Sequence, residues 1–252
     1  MAGRIWLATR MDVHDLRRRP LLIVLLIVTP VVFISRAISL TERIPRVIGL
    51  PGGGTTLTTM RDVHGAVMAA ITVAFLGGLI GVFAMQAARQ ADRRLVLAGF
   101  RGVETVVARL IVLFAATGVA LLIALLVTAR DFTPQSWLWF AFGTAAIATT
   151  YAGIGALAGT LLGRVGATYL LLFLAMLDLG VVQNPMFGDG NPPGWAVVLP
   201  GYAGIRVVVA AGFSHASRAP SSELLGAAVW AVGLTSIAVW SLSNAMRPAR
   251  VT

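Results

Sequence analysis

The sequence predicts an all-α polytopic membrane protein with six transmembrane helices, an N-terminal interfacial helix and a re-entrant hairpin before the sixth helix. Three observations carry that expectation. Hydrophobic residues make up 58% of the 252 residues and charged residues only 12%, where soluble domains carry roughly a quarter charged. Mean hydropathy is +0.86. Apolar runs also recur at the length a hydrocarbon core demands of a helix, about 20 residues.

The elements follow in chain order. Between Ile5 and Leu16, the apolar residues Trp6, Leu7, Met11, Val13 and Leu16 are set among Arg10, Asp12, His14 and Asp15. That is the pattern of an amphipathic helix lying in a membrane interface, and it assigns residues 1–19 to such a helix. Arg17-Arg18-Arg19 leads into an apolar run without an A-x-A cleavage pattern, so the run reads as a retained anchor. The predicted spans are 20–35, 65–88, 105–128, 137–163, 166–183 and 222–244, with Pro30 expected to kink the first and Asn184-Pro185 to end the fifth. Gly194 to Phe213 is apolar but interrupted by Pro200, Gly201, Gly204 and Arg206. Each half is too short to span, which predicts a re-entrant segment over 194–213.

Arginine distribution supplies the orientation. With six spans and a cytoplasmic N-terminus, the inner side holds Arg4, Arg10, Arg17, Arg18, Arg19, Arg89, Arg93, Arg94, Arg101, Arg109, Arg164, Arg247 and Arg250, thirteen of the twenty basic residues. By the positive-inside bias both termini belong inside, in the cytoplasmic membrane. Gly52-Gly53-Gly54 then falls on the outer side as a flexible turn. The net charge of +10 reports topology and gives no support for nucleic-acid binding.

Catalytic chemistry is thinly represented. Without cysteine there is no disulfide, thiolate nucleophile or cysteine metal site. His14, His64 and His215 are far apart and lack metal-ligand spacing, so no metal is expected. Every basic side chain is arginine, whereas a nucleotide-hydrolysing phosphate loop needs the lysine of G-x-x-x-x-G-K-[ST]. The chain is therefore not expected to be an enzyme or to hold a cofactor, and an ATPase powering it would be another polypeptide.

Two sets of residues remain as candidate sites. Asp178 lies within the fifth predicted span, followed by Gln183 and Asn184. A carboxylate in hydrocarbon is costly, so Asp178 either lines a transport path, pairs with Arg206 in the re-entrant segment, or lies close enough to the interface to be hydrated. The second set is AARQADRRLVLAGFRGVETVVARL, Ala87 to Leu110, in which five arginines alternate with Leu95, Val96, Leu97 and Phe100. Such a segment has one side for membrane and another for a partner. Gly77 and Gly81, and Gly155, Gly159 and Gly163, recur every four residues and mark helix contact faces, within one subunit or across a dimer seam.

In the order of these features the chain resembles the membrane subunits of type-2 ATP-binding-cassette (ABC) exporters. The resemblance covers nearly the whole chain and rests on LRRRPLLIVLLIVTPVVF (Leu16–Phe33), RRLVLAGFRGVETVVARLIV (Arg93–Val112) and VVLPGYAGIR (Val197–Arg206). It implies that residues 89–104 form a cytoplasmic coupling segment. Asp92, Arg93, Arg94, Leu97, Phe100, Arg101 and Glu104 would address the ATPase, although the family's Gly-Thr element is replaced by Arg93-Arg94.

The resemblance further implies a second copy or a related permease as partner, cytosolic ATPase subunits holding ATP and Mg, and contact with membrane lipids. It also implies export of a hydrophobic or amphipathic small molecule, as in drug resistance. A lipid-linked glycan exporter, or a stand-alone carrier or sensor, remains as the alternative.

Overall fold

The computed structural model describes residues 2–18, 20–97, 102–187, 191–214 and 221–245. Among these residues are eight α-helices and one β-hairpin. Helix α1 is Ala2–Arg17, α2 Pro20–Leu40, α3 Met60–Leu97, α4 Gly102–Thr128, α5 Trp137–Leu161, α6 Arg164–Ala175, α7 Tyr202–Phe213 and α8 Ser221–Ala245. α6 continues as a π-helical stretch, Met176–Val182, and a 3-10 turn, Gly194–Val198, precedes α7. Six of these segments are long and apolar enough to cross a membrane: α2, the first part of α3, α4, α5, α6 with its π extension, and α8. That is consistent with a polytopic membrane protein.

Helix α3 is the centre of the bundle, with 89% of its most apolar stretch buried, against 28% for α2, 33% for α4 and 11% for α8. Its closeness to α5 comes from small residues. A Cβ built on Gly77 would lie 2.6 Å from the Ala148 carbonyl oxygen, and one on Gly159 would lie 2.9 Å from that of Val82. Gly81 faces Ala152, and Gly155 faces Gly78, more tightly still. The glycine stripe therefore seats two helices of the same subunit against each other. Gly163, the last of the series, has nothing within 4 Å.

Several boundaries differ from those read in sequence. The first span helix runs on to Leu40, because Arg36 ends the apolar run without breaking the helix. Residues 45–59 form a hairpin of β1, Pro45–Gly49, and β2, Thr55–Thr59, with Val47 opposite Leu57. The three glycines close it with φ of 91°, 99° and 87°, so the expected flexible turn is a tight one that only glycine adopts cheaply. Thr59 then starts α3: its hydroxyl accepts from the Asp62 N–H at 3.2 Å and donates to the Asp62 carboxylate at 2.7 Å, a reciprocal N-terminal cap. At the same end, Thr41 bonds His64 at 2.6 Å, and Arg61 bridges to Asp131 at 3.2 Å.

Helix α7, of 12 residues, is about 18 Å long and too short to cross a bilayer. It is nonetheless buried along Ala203–Gly212, packed against α5 and α8. At the opposite end of the bundle, α1 packs against α4 through buried Ala8, leaving Trp6, Leu7 and Met11 exposed.

Candidate functional site

The chain's clearest buried polar constellation is centred on Asp178, which is only 2% exposed. Asn184-Pro185 ends the helix ahead of it, and the chain loosens into the π-helical turn. The Gln183 N–H donates to the Asp178 carbonyl five residues back, at 3.0 Å. Asn184 anchors that turn, donating from Nδ2 to the Gly180 carbonyl at 3.2 Å and accepting at Oδ1 from the Met186 N–H at 3.0 Å. π-helical turns concentrate at functional sites. Here the turn aims a carboxylate into the bundle.

Three donors converge on that carboxylate. The Tyr151 hydroxyl of α5 donates to Oδ2 at 2.6 Å, the Gly201 N–H donates to the same oxygen at 2.9 Å, and the Gln183 side-chain amide donates to Oδ1. Gly201 immediately precedes α7, so the carboxylate sits at the positive end of that helix's dipole. A Cβ at residue 201 would come within 2.8 Å of Oδ2. Glycine is therefore required for the backbone to approach. These donors meet the hydrogen-bonding demand that a buried carboxylate makes.

The expected Asp178–Arg206 pair is not what forms. Arg206 Nε bonds the Glu223 carboxylate of α8 at 2.9 Å, with Ser222 on the other carboxylate oxygen, and its guanidinium lies 5.5 Å from the Tyr202 ring centroid. Helix geometry explains the exchange. Gly201 and Arg206 are five positions apart, so the end of α7 that offers its N–H to Asp178 sends Arg206 toward α8. Asp178 is 2% exposed, and its carboxylate is bonded to Tyr151, Gln183 and Gly201. Two of its partners escaped the sequence reading. Tyr151 carried a signal, because a tyrosine in the middle of an apolar span must find a partner for its hydroxyl; Gly201 carried none.

At the other end of the bundle, α3 does not stop where its apolar stretch does. The run free of charged residues ends at Ala88 and the helix continues to Leu97, about 14 Å further. Asp92, Arg93, Arg94 and Leu97 lie on this extension. Phe100 and Arg101 lie outside the described residues. Glu104 returns in the first turn of α4 and is 2% exposed, so its carboxylate is packed inside the chain, not open to a partner. Arg109 is 3% exposed and donates from a terminal guanidinium nitrogen to the Ala84 carbonyl of α3 at 2.6 Å. Arg164, at the start of α6, stacks 4.3 Å from the Phe83 ring centroid, a cation–π contact.

Among the described residues no group of three or more His, Asp or Glu side chains is placed to hold a metal ion. A shallow apolar cleft opens between α3, α4, α5 and α8, lined by Met85, Leu110, Phe114, Gly153, Thr235 and Val239 among others. Comparison of the chain with protein-family models, with curated proteins and with solved structures returns no match.

Proposed function

We propose that this chain is the membrane-spanning subunit of an ATP-driven exporter of the type-2 ABC kind, in the cytoplasmic membrane with both termini inside. One observation carries the reading most: helix α3 outruns its charge-free run by residues 89–97 and brings Arg89, Arg93 and Arg94 with it, and the chain then returns through the mostly apolar α4. A helix that merely crosses a bilayer has no need of a basic, helical projection. A subunit driven from outside the membrane needs a rigid element for its motor to push.

Supporting features lie elsewhere in the chain. A separate helix, α1, precedes the first span, a short buried helix preceded by a 3-10 turn comes before the last, and no lysine is present to build a phosphate loop; in this reading α1 is the interfacial helix. In this reading the short helix is the re-entrant element. ATP and Mg belong to separate ATPase subunits, a second copy or related permease completes the path, and the cargo is a hydrophobic or amphipathic small molecule such as a drug or lipid. Closure of the ATPases would bias the bundle between two access states.

Expression of the tagged chain with its neighbouring genes tests this directly. Recovery of an ATPase whose hydrolysis tracks the complex is expected. Substrate accumulation by the chain alone in vesicles, driven by a proton gradient with no ATPase present, would instead establish a stand-alone carrier.

A further inference from the structure

Arg109 is the last of the five arginines of its segment. By sequence it is one more basic residue between two spans, yet it is 3% exposed and bonded at 2.6 Å to the backbone of α3 at Ala84. Beside it, Met85 of α3, Val106 of α4, Ala156 of α5 and Ala238 of α8 form one apolar cluster, with Leu110 packed against it. Ala84 lies four residues before Ala88, the last residue of the charge-free run. The helix is described to Leu97, 13 residues further on, about 20 Å along the helix axis. The bond therefore sits where a projecting lever enters the bundle, and it joins the lever to the next span.

We propose that Arg109 is a positioning residue that clamps α4 to α3 at Ala84, so that displacement of the projecting end of α3 moves both helices as one body. This deepens the exporter reading and rests on it for the origin of the push. The acceptor is a backbone carbonyl, so the clamp is independent of the side chain at position 84, and a guanidinium is long enough to reach it from α4. Because Arg109 is enclosed, the partner ATPase does not touch it. Removing it should spare association with the ATPase and damage only transmission.

The natural absence of cysteine makes the test direct. Nitroxide labels on Gln90→Cys and Ile111→Cys report the separation of the lever from α4 in the full chain, purified with whatever ATPase accompanies it. The unsubstituted clamp should give a narrow distance distribution that shifts with ATP. Arg109→Leu and the milder Arg109→Gln should broaden it and lower efflux per ATP hydrolysed about tenfold, the consequence of losing a charged hydrogen bond, with the ATPase still bound. Arg109→Lys should recover part of both.

An unbroadened distribution in Arg109→Gln, or undiminished efflux per ATP, overturns the clamp. If no ATPase accompanies the unsubstituted chain, the exporter reading fails, while the label distances still decide whether the clamp exists.

Discussion

The two ends of the bundle handle charge in opposite ways. Around Asp178 the polar atoms are spent internally: a tyrosine, an amide and a helix N-terminus close on one carboxylate, and the backbone comes so near at Gly201 that no larger residue fits. At the Arg89–Arg109 end one arginine and one acid are taken inward, Arg109 and Glu104, while α3 carries Arg89, Arg93 and Arg94 beyond the charge-free run. The difference teaches that burial divides the polar residues of this chain by task. A closed hub holds three elements in register. The helix that continues past the charge-free run is bonded to α4 at Ala84, near its root.

Substitutions should separate the two ends. The largest stability effect is expected for Asp178→Leu, which strands three donors in the bundle at about 1–3 kcal/mol each, less than additively. Loss of most folded, monodisperse protein in mild detergent is the expected readout. Tyr151→Phe removes one charged hydrogen bond and should cost about 1.5–3 kcal/mol, visible as a lower denaturant midpoint with the fold intact. Arg206→Ala, at a pair whose side chains are 18% and 13% exposed, should cost about 1–2 kcal/mol and loosen α7 from α8. It should leave Asp178 bonded to Tyr151 if the hub is independent of that pair. Arg93→Glu combined with Arg94→Glu should change stability by less than about 0.5 kcal/mol and yet abolish association with the ATPase. Equal stability losses at both ends would break the comparison.

The spans were legible because apolar run length is a property of contiguous sequence. Their ends were less so: nothing in Ser35-Arg36-Ala37 marks whether a helix that has left the apolar run continues, and the structure carries it to Leu40. The hairpin escaped because PRVIG and TTLTT are five-residue strands with Val47 and Leu57 exposed and only the adjacent Ile48 and Gly49 buried, so no alternating face betrays them. In the hub, the identity of the acid was visible and its partners were not. Tyr151 and Gly201 are 27 and 23 residues from Asp178, a separation that periodicity cannot bridge. Sequence offered an arginine as the natural partner for a buried acid, and the fold supplied a helix N-terminus instead. Arg109 looked like its neighbours because charge is read from composition, whereas burial is read only from packing.

A photo-reactive residue placed at Arg94 on the extension of α3, and for contrast at Leu57 on the hairpin, tests the central claim most directly. In membranes from cells expressing the chain with its neighbouring genes, the label at position 94 should cross-link to an ATPase whose sequence contains a lysine-bearing phosphate loop. The label at position 57 should not. Equal labelling of the ATPase from both positions, or none from position 94 while the protein remains folded and inserted, would contradict the account.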